Sequence, residues 1–332
     1  MKNFLQLNSK DKLLIFEQIR SETGMNIDAI EKDWWVTQSL RLVFSMECAG
    51  HTVFKGGTSL SKAWGLIERF SEDIDLALDR KFLGFDKEMT GTQVSKLRKA
   101  SFQYISTSFF DQLKEKFAEA GFENLNIQLA DVKDTDQDPL IIEIYYPGVT
   151  GSSDYLKPRV LVEIGSRSLM EPFTPKSFSS LVGEHFPDKS FADEKITIPV
   201  VNPERTFLEK IFLLHEEFQK PADKIRVDRL SRHLYDIERL MDTSYAKLAL
   251  SDDELYLHIV EHRRTITPVR GIKYTNHAPE KISLLPPESI LNEWQKDYEI
   301  MQGNMIYGES LPFGKLLDRI REVQHRINSK NS

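Results

Sequence analysis

The stretch from Val53 to Leu78 constrains the fold most tightly, because the spacing of its apolar residues changes within it. Val53-Phe54 is a short apolar pair running into Lys55-Gly56-Gly57, a strand-to-turn signal. Thr58 or Ser59 is suited to cap a helix there, with Leu60, Ala63, Trp64 and Ile67 facing inward. Ile74, Leu76 and Leu78 then alternate with Asp73, Asp75 and Ala77, the period of a half-buried strand. A strand, a helix and a second strand in close succession predict an α/β (α+β) fold, with a small mixed sheet flanked by helices.

The rest of the chain fits around that stretch. Residues 10–23 and 27–47 read as helices, and 93–121 as a long amphipathic helix ending at Gly121. Leu140 to Tyr146 and Val160 to Ile164 read as strands, joined by a loop rich in Pro, Gly and Ser that includes Ser152 and Ser153. Residues 166–200, rich in Pro, Ser and Phe, are expected to wind over the surface. Beyond Pro203 the pattern is helical over 203–219, 228–242, 252–261, 289–303 and 312–327. The chain is thus expected to form two domains: 1–200 with the sheet and N-terminal helices, and 201–332, mainly helical, closing an active-site cleft.

Composition narrows the setting. With 332 residues, 40% hydrophobic and 29% charged, the chain is globular and can bury a core unaided. Its single cysteine, Cys48, excludes a disulfide scaffold and fits a reducing cytoplasm. No apolar run is long enough to cross a membrane, so no membrane partner is expected. A net charge of −7 argues against a uniformly basic coat for nucleic acid but allows a local basic groove.

The residue types suggest chemistry. Gly56-Gly57 lets backbone approach a ligand closely, and a helix start behind it offers N–H groups to phosphate. Asp73 and Asp75, two apart on a strand, share a face. Two adjacent carboxylates repel unless a cation lies between them, and a hard ion such as Mg²⁺ (or Mn²⁺) prefers oxygen ligands. Alone, a Gly-Gly turn or an Asp-x-Asp strand is more often structural; the combination is the specific signal.

The string Lys55-Gly-Gly-Thr-Ser-Leu, followed by Arg69-Phe-Ser-Glu-Asp73-Ile-Asp75-Leu, resembles the AbiEii/AbiGii toxin family of the DNA polymerase β-like nucleotidyltransferase superfamily. The resemblance implies a site of Gly56, Gly57, Thr58, Ser59, Arg69 and Ser71 around the nucleotide, with Asp73 and Asp75 on the metal. The segment Lys157-Pro-Arg-Val-Leu-Val-Glu163 is similar to the one supplying the family's third acidic residue, Glu163. Its alternative is an ion pair with Arg159 or Arg167, and Glu143 is the rival carboxylate. In Pro203-Glu-Arg-Thr-Phe-Leu-Glu-Lys210, the resemblance implies that Lys210 holds nucleotide phosphates; by itself it reads as a surface lysine. In Arg229-Leu-Ser-Arg232-His233-Leu-Tyr235-Asp236, the family has a basic-aromatic-Asp helix. Asp236 is either a general base or a group that orients Lys210 or an arginine. The role of His233 stays open, because many members carry Asp there.

Taken with the residue chemistry, the resemblance implies a magnesium-dependent nucleotidyltransferase, the toxin half of a bacterial toxin–antitoxin or phage-defence pair. Its co-substrate is a nucleoside triphosphate, its acceptor an RNA (a tRNA end among the candidates), and a cognate antitoxin is the implied partner. Three rivals stand beside this reading. One is protein modification or kinase chemistry at the same site, the second an antibiotic nucleotidyltransferase, and the third a silent binding module. Glu261-His-Arg-Arg264 with Arg270 and Lys273 is either a solvated face or an RNA groove, and Trp34, Trp35 and Trp294 are expected in the core.

Overall fold

A computed structural model describes residues 2–71, 73–87, 89–151 and 157–330, without the side chains of residues 2 and 3; the expected loop positions Ser152 and Ser153 lie outside them. The chain divides into two compact units, residues 1–64 with 70–201, and residues 65–69 with 202–332.

The first unit carries helices α1 (Lys2–Leu5), α2 (Ser9–Thr23), α3 (Ile27–Val43), α4 (Gly56–Lys62), α5 (Gly91–Tyr104), α6 (Phe110–Glu119) and α7 (Leu181–His185). Its strands are β1 (Thr52–Lys55), β2 (Asp73–Leu78), β3 (Asn126–Leu129), β4 (Leu140–Tyr145), β5 (Arg159–Gly165), β6 (Phe173–Phe178) and β7 (Ile196–Val201). They form one seven-stranded mixed sheet in the order β3-β4-β5-β2-β1-β7-β6. Among the described residues only β2–β5 and β1–β7 pair in parallel.

The sheet has two different faces because its central strands alternate. Ile74 and Leu76 of β2, Val160, Val162 and Ile164 of β5, and Leu140, Ile142 and Ile144 of β4 are all buried. Each such aliphatic side chain contributes on the order of 1.5–3 kcal/mol by leaving water. Helix α3 packs on β5, and Asn26 caps it by accepting the Asp28 N–H at 3.0 Å. Trp35 stacks on Tyr146 with ring centroids 4.7 Å apart, and Trp34 meets Phe4 at 4.7 Å, so both tryptophans are core. The opposite face carries Asp73, Asp75, Glu163 and Glu143.

Several expectations need correction. Residues 166–200 do not merely wind over the surface: they contain β6, α7 and most of β7. The long helix at 93–121 is α5 and α6 joined by a π-helical turn at Ile105–Phe109. Neither Thr58 nor Ser59 caps α4. That helix begins at Gly56; the Thr58 hydroxyl donates to the Asp73 carbonyl, and Ser59 Oγ donates to the Gly56 carbonyl at 2.9 Å. It also stops at Lys62, before Ala63, Trp64 and Ile67.

The second unit is built of α8 (Pro203–Phe218), α9 (Ser231–Leu240), α10 (Ser244–Ser251), α11 (Asp253–Thr265), α12 (Leu291–Asn304) and α13 (Phe313–Asn328). Phe207, Leu208, Ile211, Phe212 and Leu214 of α8 are buried, and α8 packs against α9, α10 and α11. Trp294 of α12 is fully buried. Into this helical unit runs the segment Gly65–Arg69, taken from between α4 and β2.

Candidate active site

In the first unit the Gly-Gly turn and the aspartate strand are built around each other. Lys55 pairs with Asp75 across β1 and β2, so Gly56 follows at the point where the Asp75 side chain stands. Gly56 has φ +80°, a conformation that residues with a Cβ rarely adopt. A Cβ there would also lie 2.7 Å from Asp75 Cγ and closer still to Oδ2. Both constraints require glycine. Thr58, through the Asp73 carbonyl, fastens α4 to the start of β2. Ser71 is buried just ahead of that strand.

Strand register brings in the third acid. Glu163 is aligned with Asp75 on the neighbouring parallel strand, and Asp73 is aligned with Leu161. Adjacent strands lie about 4.8 Å apart, so Asp73, Asp75 and Glu163 are close neighbours on one face. They do not form a closed cage: among the described residues no three His, Cys, Asp or Glu side chains converge tightly enough to hold an ion by themselves. Arg159 ion-pairs with Glu143, and Arg167 Nε lies 3.6 Å from Asp138. Glu143 also accepts from Gln128 Nε2 at 2.9 Å and from the Tyr145 hydroxyl at 3.1 Å.

The second unit holds a buried ion cluster. Asp236 is fully buried and accepts from Arg69 Nε at 2.6 Å and from Arg69 Nη2 at 2.7 Å. Lys210 Nζ lies 2.8 Å from the same carboxylate and 3.5 Å from His233 Nδ1. Helix α8 supplies Lys210, and α9 supplies His233 and Asp236 one turn apart. Burial alone would raise the pKa of Asp236, but the Arg69 guanidinium and the Lys210 ammonium outweigh it and hold the carboxyl well below its ordinary range. Burial draws Lys210 down, and Asp236 offsets this only in part. Burial, with Lys210 and Arg232 nearby, keeps the His233 imidazole neutral.

Arg69 is delivered by a pinned segment. The Glu68 carbonyl accepts from the Tyr307 N–H at 3.0 Å and the Gly308 N–H at 3.3 Å, and Arg69 bridges to Ile306. Glu68 Oε2 meets Arg239 Nη2 at 2.9 Å. Asp297 sets the start of α9 by accepting from the backbone N–H groups of Arg229 at 2.7 Å and Ser231 at 2.9 Å.

A family model described as nucleotidyl transferase AbiEii toxin, type IV TA system, matches residues 42–322. The chain belongs to the AbiEii family. It is therefore a nucleotidyltransferase and the toxin of a type IV toxin–antitoxin system, which implies a nucleoside triphosphate substrate and an antitoxin partner. MenT4, a nucleotidyltransferase toxin from Mycobacterium tuberculosis, is similar in structure at 15% identity and a TM-score of 0.45, over 98% of this chain and 100% of that one. JHP933 from Helicobacter pylori is similar at 13% identity and a TM-score of 0.39, over 92% and 94%. No curated protein sequence matches. Among the described residues no helix of this AbiEii-family chain is long and apolar enough to cross a membrane.

In this member of the AbiEii family, then, the residues expected at the site fall into two groups. Gly56, Gly57, Thr58, Ser59, Ser71, Asp73, Asp75 and Glu163 belong to the sheet unit, and Arg69, Lys210, His233 and Asp236 to the helical one. Lys210 is a buried residue rather than a surface lysine. Sequence reasoning missed Glu68, Asp297 and the Ile306–Gly308 segment as positioning elements. The string at 261–273 is partly neutralised, since Arg263 ion-pairs with Glu216 and Arg264 Nη2 lies 2.6 Å from Glu261.

Proposed function

We propose that this toxin transfers a nucleoside monophosphate from a nucleoside triphosphate to an RNA end, with a divalent metal, Mg²⁺ or Mn²⁺, held by Asp73, Asp75 and Glu163. The observation that carries this reading is the mutual fit of Gly56 and Asp75 with Glu163 in register beside them. The donor set is all hard oxygen. Mg²⁺ commonly takes one or two carboxylates and completes its shell with water and substrate phosphates, so a closed protein cage is not needed. When bound, the metal would screen the charge of the phosphates and favour ionisation of the acceptor hydroxyl.

The residues divide the remaining work. The backbone of Gly56-Gly57, with Thr58 and Ser59 behind it, lies along the phosphate tail. In the helical unit, Lys210 would offer a point charge to nucleotide phosphate. Asp236 acts as an orienting group, since a carboxylate held this far below its ordinary pKa is a weak base. Arg69 locks Asp236 from the other side, and neutral His233 borders the Lys210 ammonium. The acceptor oxygen forms a bond to the α-phosphorus, the bond from that phosphorus to the β-bridging oxygen breaks, and pyrophosphate leaves with the electron pair. The acceptor proton passes to solvent.

Such a toxin would act in the cytoplasm, against the cell's own RNA or during phage infection. The acceptor class is tested by incubating the protein with α-labelled nucleoside triphosphates and a total extract. Label removed by ribonuclease supports RNA; label removed by protease moves the reading to protein modification; label on a small molecule moves it to an antibiotic-type acceptor.

A further inference from the structure

The carboxylate face of the sheet does not end at Glu163. On β5 and β4, Asp73 is aligned through Leu161 with Glu143, and Glu143 with Gln128 on β3. One step further along the strands, Arg159 is aligned with Tyr145 and Tyr145 with Asn126. Paired positions point to the same side of a sheet, so this polar grid is continuous with the aspartates. It is also held in shape. Glu143 collects the Arg159 guanidinium, the Tyr145 hydroxyl and the Gln128 amide, and Arg159 Nη1 lies 3.2 Å from the Tyr145 hydroxyl. The guanidinium sits 5.8 Å from the Tyr145 ring centroid, and the Arg159 side chain keeps 25% of its surface exposed.

The position of this grid decides what it faces. Asp75 stands between Gly56 on the β1 side and Glu163 on the β5 side. In-line displacement puts the leaving pyrophosphate and the attacking oxygen on opposite sides of the α-phosphorus. With the phosphate tail along the Gly56 turn, the acceptor enters from the β5–β4–β3 side, across the grid. We propose that Arg159, laid against Tyr145 and fixed by Glu143, forms the platform on which the terminal nucleotide of a single-stranded RNA acceptor stacks. Unpaired bases are bound by stacking on tyrosine rings and guanidinium planes, with polar groups such as Gln128 and Asn126 at their edges. A protein acceptor has no nucleobase to stack on this charged, aromatic surface. The inference rests on the RNA-transfer reading above and adds the residues that seat the acceptor.

The test separates the two. Transfer by the wild-type protein to RNA, with the acceptor and the nucleotide varied in turn, reports on the reading itself. Arg159→Gln and Tyr145→Leu then report on the platform. The expected result is a rise in KM for the RNA acceptor of about tenfold, with KM for the nucleoside triphosphate and Mn²⁺ binding unchanged. Tyr145→Phe, which keeps the ring, should keep the acceptor KM within about threefold of wild type. Independently of any variant, RNA carrying 4-thiouridine at its 3′ end should crosslink to the β4 or β5 peptide of the wild-type protein. An unchanged acceptor KM in the variants, an equal rise in both KM values, or a crosslink confined to other peptides overturns the platform. Absence of wild-type RNA labelling overturns the RNA reading and the platform with it.

Discussion

Gly56→Ala is the most informative single change, because the structure assigns it two separable costs. The first is conformational. Placing a Cβ at φ +80° costs about 1–2 kcal/mol. Gly84 calibrates it, with φ +83° and nothing within 4 Å of an added Cβ, so Gly84→Ala should lose only that amount. The second cost is steric. At Gly56 the new methyl would lie 2.7 Å from Asp75 Cγ, so the carboxylate must swing away or the turn must open. Overpacking of this kind adds about 1–3 kcal/mol, for a total of about 2–5 kcal/mol. Displacing Asp75 by about 1 Å should lower nucleotidyl transfer about a hundredfold per folded molecule. Urea denaturation measures the total stability loss, and label transfer measures the loss of activity. In Gly56→Ala/Asp75→Gly, the steric part of the stability loss should return while activity stays absent, so the two changes are non-additive. Additive stabilities, or a Gly56→Ala protein transferring at the wild-type rate, would refute the argument that glycine is required here by the aspartate.

Asp236, His215 and Glu163 each offer a further test. Asp236→Asn should destabilise the helical unit by about 3–5 kcal/mol, because it leaves Arg69 and Lys210 buried without their shared carboxylate. Any folded fraction should show a raised KM for nucleotide without the shifted acid limb that losing a base would give. His215 accepts the Ser283 N–H at Nδ1, at 3.1 Å, and its Nε2 contacts the Asn276 carbonyl at 2.9 Å, so the neutral ring satisfies both partners. Burial, with His277 beside it, lowers its pKa to about 4. The unfolded ring binds its proton near 6.5 and the folded ring only near 4, so stability should fall, by up to about 3 kcal/mol, as pH drops between these values, and show no contribution above 6.5. Urea midpoints across pH 4–8 check this, and His215→Gln should flatten the dependence. Finally, Glu163→Gln should weaken Mn²⁺ binding about tenfold or more by electron paramagnetic resonance, whereas Glu143→Gln should leave it unchanged.

The legible parts of the fold were those whose signals are local. Gly56-Gly57 with Asp73-Ile-Asp75 marks a strand, turn and strand by type and period, and β4 and β5 announce themselves through the apolar residues around Glu143 and Glu163. The strands that escaped lack such a signal. The β3 edge is Asn-Ile-Gln-Leu, half-exposed and short. Strands β6 and β7 each contain a proline, normally evidence against a strand, yet Pro175 and Pro199 are aligned with each other near the edge of the sheet, where a missing N–H is tolerated. The candidate site was legible as a set of residue types, but the place of Arg69 in the helical unit was not. Nothing in the order of residues says that Gly65–Arg69 leaves the sheet unit, or that Arg69 takes both oxygens of Asp236 a long way down the chain. That pairing is a tertiary fact, and of the two roles left open for Asp236 it favours the orienting group over the base. The cap on α4 failed for a related reason: Thr58 and Ser59 have the right chemistry for it, but their hydroxyls are spent on carbonyls within the turn and β2.

Nucleotidyl transfer to RNA is tested by following both ends of the nucleotide. The protein would be incubated with RNA and each nucleoside triphosphate, labelled at either the α or the γ phosphorus, with and without Mg²⁺, beside Asp73→Ala/Asp75→Ala. The α label should appear on RNA and the γ label in free pyrophosphate in equal amount, and both should vanish without metal or without the aspartates. Label reaching the acceptor from the γ position, or α transfer that survives loss of both aspartates, would contradict nucleotidyl transfer at this site.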